Sequence, residues 1–589
     1  MKDSKITLKS IYRLILDNKP SLIYGQIVTL LAILVSIPVP LMLPVMVDEI
    51  LLNKPAFFVN SIDFFLGPTT AFYYIAIVTL MVILLRFIYY FFGVIITRVF
   101  TKISKYVTYM IRVRLIEHLK ITSMNEYATL GSGAITSNLV TDVNTLDNFI
   151  ITSVSKFISS VLTLVAVGIV MIIIDPILGI LILIVQPLIM VLSKKMAAIT
   201  GRLKRDENSA IEEFQNNLGE TLDLYAQIKA SNKEDYFFNE AAKHAKRVQT
   251  TSNEYGYKSV AYEKLSYTIF LVMFELIRAS GLLLVAYSDL SVGMMFAMFG
   301  YIWFIMTPVQ DILTMQYSYA SAKSALERIN KILSLKTQIS GTKEIEKNDV
   351  DISLRDLSFS YADEKLILKN ISLDIKARSK IAFIGASGSG KTTLAQVLSG
   401  FYEKSGGELK YNSLDIEEID KRSLRQKVFL VLQMPILFNS SLRFNITMGD
   451  EHISDEEIYK ALEIAQLKEM IEQMDEGLDT IVGRHGVRLS GGQRQRLSIA
   501  RMIIANPSIV IFDESTSALD VHTEAKLQTI IEPLLKDKTV ITIAHRLSTV
   551  KNSQSIYVLD AGKIVQCGTH EELEAEEGYY MEFVKKQLI

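Results

Sequence analysis

The hydrophobic positions of this chain are not spread evenly. Before about residue 315 they gather into six long runs almost free of charge, roughly 22–47, 71–97, 152–174, 177–193, 266–287 and 291–312. The hydrocarbon core of a membrane takes about 20 apolar residues as a helix. Each run is long enough to span one, and six such runs exceed what a buried soluble core uses. Only Asp175-Pro176 separates the third from the fourth, and only Ser288 to Leu290 the fifth from the sixth. Connections this short predict two tight antiparallel hairpins. The two long intervening stretches are polar, helically spaced and poor in breakers. They predict membrane helices that run on past the bilayer, turn and return. From Asp351 the pattern changes to short β-rich runs alternating with helices, an α/β pattern.

Composition adds three points. The 589 residues carry a net charge of -1, so no global electrostatic case for a nucleic-acid partner exists. Cys567 is the single cysteine, which rules out an intrachain disulfide and fits a reducing compartment. Lysine and arginine are placed asymmetrically. Segment 98–120 holds Arg98, Lys102, Lys105, Arg112, Arg114 and Lys120, segment 194–264 holds twelve, and the short intervening loops hold only Lys54. The positive-inside rule then puts the N-terminus, both long loops and the C-terminal half in the cytoplasm. The first run is too long for a signal peptide and lacks a small-residue cleavage site, so it reads as a span. The expected organisation is a membrane domain over 1–335, a polar linker over 336–350 and an α/β domain over 351–589.

Within the membrane half a few residues stand out. In the loop 49–70, Phe57, Phe58, Ile62, Phe65 and Leu66 fall on one helical face. They read as a short interfacial helix or as a hydrophobic loop packed on helix ends. Charges inside spans are costly. Arg86 lies in the second span, and Glu275 and Arg278 lie in the fifth, three apart and so neighbours on one helix face. That pair reads as an ion pair fixing the packing or as a polar contact to substrate. The sixth span carries Met294, Met298, Tyr301 and Trp303, which suit a soft pocket or a plain core. Arg86, Glu275, Arg278, Met298 and Tyr301 are the candidate cavity residues.

The cytoplasmic half carries the chemistry. A buried strand, Ile381 to Ile384, runs straight into Gly385, Ala386, Ser387, Gly388, Ser389, Gly390, Lys391 and Thr392, and an apolar helix follows from Thr393. This is the full phosphate-loop spacing in its strand–loop–helix setting. Such a loop wraps backbone amides around a nucleotide's phosphates, and the helix start adds positive dipole. Lys391 reaches the β- and γ-phosphates, and the Thr392 hydroxyl ligates Mg²⁺. A second buried strand, Ser508 to Phe512, ends in Asp513 and Glu514. Asp513 is placed for the Mg²⁺ shell, and Glu514 can polarise an attacking water as general base.

With these residues in view the chain resembles the ATP-binding cassette transporters, and among them half-size exporters in which one six-helix membrane domain is fused to one nucleotide-binding domain. Leu489-Ser490-Gly491-Gly492-Gln493, followed by Arg494-Gln495-Arg496, is similar to the family signature. By the same resemblance Gln433 is the Q-loop glutamine at Mg²⁺, Ser517 to Asp520 the D-loop, His545 the switch histidine at the γ-phosphate, and Tyr361 the aromatic stacking on adenine. Asp175 to Gly179, Thr141-Asp142-Val143 and Arg328-Ile329 resemble the family's membrane half. One departure is visible: Thr480 to Gly486 carries Arg484 where these exporters have glutamate.

The resemblance implies an all-α six-helix transmembrane domain with long cytoplasmic extensions, followed by an α/β P-loop ATPase. It implies ATP and Mg²⁺ as cofactors and ATP hydrolysis with Glu514 and His545 catalytic. The signature of one chain would meet the nucleotide of a second, so a homodimer is expected; a heterodimer with a degenerate partner stays open. The implied location is a bacterial inner membrane and the implied activity is export of drugs or lipids, with membrane lipid or an amphipathic small molecule as partner. Three other readings remain: a flippase for lipid-linked oligosaccharide, a peptide exporter, and a soluble cassette ATPase, against which the six spans speak.

Overall fold

The structure is a computed structural model of the chain. It describes residues 5–588 other than 362–364, 434, 484–485, 488, 514–520 and 545–546. The chain forms two compact units, Met1–Leu115 with Thr136–Leu333, and Ile116–Ile135 with Ser334–Ile589.

The first unit is helical. It contains α1 (Leu8–Leu16), α2 (Lys19–Ser36), α3 (Pro38–Pro44), α4 (Phe57–Leu66) and α5 (Ala71–Ile121). After α6 (Met124–Ser137), which falls almost wholly in the second unit, come α7 (Val143–Ile151), α8 (Ile158–Ile174), α9 (Pro176–Asp223), α10 (Tyr225–Ala230), α11 (Glu234–Tyr287) and α12 (Val292–Leu333). Among the described residues five helical stretches are long and apolar enough to cross a membrane, and a shorter apolar segment, Pro176–Val185, opens α9. Asp175 starts α9 by accepting the Leu178 amide at 2.8 Å, with Pro176 in the first turn, where its missing N–H costs nothing.

Burial sorts these helices. In its most apolar window α12 is 50% buried but α5 only 6%, so α12 is the packed centre and α5 turns apolar side chains outward. Lipid tails accept such side chains without penalty. Met298, Tyr301 and Ile305 of α12 pack with Met171 of α8, Ile182 of α9 and Ile277 of α11.

Two polar contacts lock α12 at its ends. Near its start, the Asp48 carboxylate accepts the Gly293 amide at 2.9 Å and the Ser291 hydroxyl at 2.5 Å. The Ser291 hydroxyl is the local cap, accepting the Met294 amide at 3.0 Å, and Asp48, 245 positions before Gly293, takes a further amide of the first turn and holds that hydroxyl. The fit needs glycine, because a Cβ at 293 would lie 2.4 Å from Asp48 Oδ2 and 2.6 Å from Pro44 Cα. Near its other end, Arg328 donates through Nε and a terminal nitrogen to the buried Asp142 carboxylate, at 3.0 and 2.5 Å. The Asp142 hydrogen bond raises the Arg328 pKa further above its ordinary value.

The loop 49–70 does form a helix, α4, started by the Glu49 carboxylate, which accepts the Val59 amide at 2.8 Å. Its packed face is not the one expected from the sequence. Phe58, Val59 and Ile62 meet Val45, Ile50 and Val78, whereas Phe57, Phe64 and Phe65 are over 80% exposed. Val59 joins that face, and Asp63 of α4 accepts the Tyr74 hydroxyl.

The second unit holds two main sheets. One is antiparallel, from β1 (Ile352–Phe359), β2 (Leu368–Ile375), β4 (Gly406–Tyr411) and β5 (Leu414–Asp415), in the order β2-β1-β4-β5. The other has the order β12-β11-β3-β10-β9-β6, from β3 (Lys380–Gly385), β6 (Val428–Val431), β9 (Ile509–Asp513), β10 (Thr539–Ile543), β11 (Ser555–Asp560) and β12 (Lys563–Gly568). It is parallel except for the β11–β12 pair. A short β7 (Ser440–Ser441) pairs with β8 (Ile481–Val482). The helices used below are α13 (Lys391–Leu398), α14 (Lys421–Lys427), α15 (Leu442–Thr447), α16 (Asp455–Ile464), α17 (Lys468–Glu472) and α18 (Gly491–Ala505). Strands buried on both faces read as unbroken apolar runs, which is why Ile381 to Ile384 and Ile509 to Phe512 stand out in the sequence.

The stretch 336–350, expected as a polar linker, is fastened to this unit. Ile345 and Val350 are buried in its core, and the Gly341 amide bonds the Ile419 carbonyl at 3.0 Å. Two apolar anchors among many charges are enough to override the polar composition.

The cap on α12 generates a first prediction. Asp48→Ala removes a capping acceptor worth about 1 kcal/mol, and Gly293→Ala loses it and adds a backbone clash. Thermal unfolding in detergent should therefore rank wild type above Asp48→Ala and Asp48→Ala above Gly293→Ala. Equal midpoints for all three would contradict the capping role.

Candidate functional site

The site grows from the carboxyl edge of the parallel sheet, where ligands collect in such folds. β3 runs into the phosphate loop, whose Gly385, Gly388 and Gly390 have φ of +148°, +80° and +103°. Only glycine holds this succession without strain. Gly390 sits at the N-cap of α13, with no side chain bonded across the helix start. The first amides of α13 are thereby left for an anion. Lys391 is buried, and its ammonium donates to the Gly385 and Ala386 carbonyls at 2.9 and 3.0 Å. Thr392 Oγ1 donates to Asp513 Oδ1 at 3.1 Å.

Asp513 reaches Thr392 because β10 lies between β3 and β9. Ile543 pairs with both Phe383 and Asp513, so β9 and β10 end level and β3 runs two residues further, to Gly385. Tyr361 comes to the same edge. Its hydroxyl lies 2.9 Å from Thr393 Oγ1, and its ring packs edge-on to Phe359 and Tyr402 while staying 42% exposed. Burial pushes the Tyr402 pKa up. The structure thus brings together Tyr361, the whole phosphate loop, Thr393 and Asp513. Glu514, Asp520 and His545 lie outside the described residues, as does Arg484.

Ser490 caps α18 in a reciprocal arrangement. Its hydroxyl accepts the Gln493 amide at 3.2 Å, and the Gln493 side chain accepts the Ser490 amide at 2.7 Å. Gly491 and Gly492 form the first turn. The spacing of this stretch already contains that box; reading it for an anion site alone left Gln493 without its local role. Sequence reasoning also missed Gln495. It is buried on α18, and its side chain donates to the Gln433 carbonyl at 3.2 Å. The loop after Gln433 is organised by Asn445, fully buried, which accepts the Phe438 amide at 2.8 Å and donates to the Phe438 carbonyl at 2.9 Å. Arg501 donates to the Asn445 side chain at 3.2 Å, and burial lowers its pKa from the ordinary value. Beside these groups opens a cleft of about 1050 Å³ lined by Leu432, Ile436, Phe438, Arg425 and Arg501, with Ile436 85% exposed.

The membrane candidates separate. Arg86 and Tyr89 of α5 line a cavity of about 530 Å³ with Leu43, Met46, Trp303 and Phe304. Glu275 and Arg278 pair with each other on a half-exposed face of α11 and do not reach that cavity. Met298 and Tyr301 do not line it either. Met298 is fully buried in the helical core. Tyr301 is fully buried too, and its hydroxyl donates at 2.6 Å to the Ile37 carbonyl, at the break between α2 and α3. Tyr301 thus ties α12 to the junction of α2 and α3 rather than facing the cavity. A soft side chain serves core and cavity alike, and only the covering helix decides which.

The comparisons with known proteins fit this geometry. Residues 368–517 match the family profile described as ABC transporter, and residues 22–309 match the one described as ABC transporter transmembrane region. The chain is 34% identical over 389 residues to the ATP-dependent lipid A-core flippase of Francisella tularensis subsp. tularensis (strain FSC 198), covering 64% of this chain and 63% of that protein. It is 33% identical over 407 residues to the ATP-dependent lipid A-core flippase of Pectobacterium atrosepticum, covering 67% of this chain and 69% of that protein. Its fold is shared with a solved bacterial Atm1-family ABC exporter with ATP bound, at 23% identity and a TM-score of 0.80, over 97% of this chain and 99% of the other. With a phosphate loop, its partner aspartate and a capped signature helix in one unit, and apolar spanning helices in the other, the chain belongs to the ABC transporter family.

Proposed function

We propose that the chain is an ATP-driven exporter of hydrophobic or amphipathic molecules, lipids or drugs, working as a dimer by alternating access. One observation carries this reading. A complete phosphate loop, joined to Asp513 through Thr392, stands in the same chain as a bundle of spanning helices. The names of the Francisella and Pectobacterium relatives support a lipid among the substrates. Arg86, the one charged residue lining a mainly apolar cavity among the described residues, supports an amphipath with an anionic head.

The residues take these roles. Lys391 and the loop amides hold the phosphates of ATP, and Tyr361 supports the adenine. Thr392, Gln433 and Asp513 offer the hard oxygens that Mg²⁺ selects, and the Thr392–Asp513 contact places two of them side by side. Bound there, the ion neutralises charge on the phosphate oxygens. Glu514 takes the proton of the attacking water, and His545 steadies the γ-phosphate side. Ser490, Gly491, Gly492, Gln493 and Asp520 close over the nucleotide of a second copy, so both copies hold a competent site in a homodimer. The lysine and arginine bias supports an orientation with both termini cytoplasmic, and a plasma-membrane location fits the bacterial relatives.

Three outcomes test this. Glu514→Gln should keep ATP binding while turnover falls by about 100-fold or more, the usual worth of a general base; a normal rate in a phosphate-release assay would remove Glu514 from catalysis. Lys391→Ala should lose most nucleotide affinity, and an unchanged binding isotherm would refute its phosphate role. In a screen of anionic, zwitterionic and neutral amphiphiles for ATPase stimulation in nanodiscs, Arg86→Ala should raise the half-stimulating concentration of the anionic compounds alone. An equal shift for neutral ones would take Arg86 out of headgroup recognition.

A further inference from the structure

The chain enters its second unit at Ile116, at the end of α5, and again at Ser334, just past α12. Inside that unit the two entering segments are fastened to each other. The Ser123 amide donates to the Lys336 carbonyl at 3.0 Å, and the Gln338 amide donates to the Ile121 carbonyl at 2.7 Å. Between these bonds Thr122 and Thr337 face each other as an antiparallel bridge. One turn earlier, His118 Nε2 lies 3.1 Å from the Leu335 carbonyl. This two-sided backbone clip joins residues more than 200 positions apart.

The Gln338 side chain ties the clip to the phosphate-loop helix. Its Nε2 donates to the Gly400 carbonyl at 3.0 Å, and its Oε1 accepts from Arg425 of α14 at 2.6 Å. Next to it the Ile339 amide donates to Glu403 at 2.6 Å. Gly400 is the left-handed residue that ends α13, at φ +70°. Its amide bonds the Val397 carbonyl and the Phe401 amide bonds the Gln396 carbonyl, both at 3.0 Å. The Gly400 carbonyl thus belongs to the closed end of the helix whose other end carries Lys391 and Thr392. A primary amide donates through its nitrogen and accepts through its oxygen at the same time, without carrying charge. Both of its functions are used here, one toward a neutral carbonyl and one toward a guanidinium.

We propose that Gln338 is a positioning residue that fixes the carboxyl end of the phosphate-loop helix to this clip, so that α13 and the end of α5 move as one body during the nucleotide cycle. The inference rests on the ATPase reading above. An eight-residue helix is about 12 Å long and stiff, so a shift at its phosphate end reaches Gly400 undiminished, and Gln338 passes it to Ile121 through the clip. Gln338 makes no bond to the phosphate loop. Its loss should therefore spare nucleotide binding and lower the rate of the step that needs both helices to move together.

The test uses the full chain in nanodiscs. Gln338→Leu should lower kcat for ATP about tenfold while KM stays within about twofold. Gln338→Glu, which keeps the Arg425 bond but loses the donor to Gly400, should fall between. A rise in KM that accounts for the whole defect, or an unchanged kcat, overturns the proposal. A second readout uses Thr122→Cys with Thr337→Cys in a Cys567→Ser background. Facing residues of an antiparallel pair lie within disulfide reach, so the cross-link should form on oxidation and turnover should persist. If the cross-link stops turnover and reduction restores it, the clip opens in each cycle and the one-body proposal fails. Wild-type protein without ATP turnover would overturn the ATPase reading itself, whereas active wild type with unaltered Gln338→Leu would overturn this inference alone.

Discussion

The hydrogen bond from Thr392 to Asp513 depends on more of this structure than any other contact in the site. It links the start of a helix after β3 to the end of β9, two strands separated by β10. The parallel register sets where the three strands end: Ile543 pairs with Phe383 on one side and with Asp513 on the other, and β3 runs on two residues into the phosphate loop. That register rests on a core of Ile381, Phe383, Ile509, Ile511 and Ile541, all nearly without solvent exposure. A polar contact of modest net worth is held in place by a large apolar one.

Much of this is legible in the sequence, and the reasons are local. The phosphate loop shows itself because strand, glycines, lysine and helix follow each other without interruption. The spans show themselves because a bilayer demands long uncharged runs. The hairpin at Asp175-Pro176 is visible because a capping side chain and a proline mark a helix start in two residues. Each of these signals fits inside a window of about 20 residues.

What the sequence withholds is long-range. Asp142 and Arg328 each draw notice as matches to a family pattern, yet nothing in either window says that they form one ion pair across 186 positions. Asp48 as an acceptor at the start of α12, Gln495 as the donor to Gln433 and Gln338 as the tie to Gly400 are of the same kind. Met298 and Tyr301 show the reverse error. Their residue types suit a cavity, but the packing of α3, α8 and α11 on α12 puts them in the core. The polar stretch 336–350 hides Ile345 and Val350, and those two residues make it part of the domain.

ATP hydrolysis in one unit is proposed to drive an amphipathic molecule across a bilayer through the other. This coupling is tested most directly by reconstituting the purified chain in liposomes and following a headgroup-labelled anionic lipid between leaflets with a membrane-impermeant quencher. Redistribution should require ATP with Mg²⁺ and stop with a non-hydrolysable analogue. Steady ATP hydrolysis with an unchanged leaflet distribution, for this lipid and for a panel of hydrophobic drugs, would contradict it.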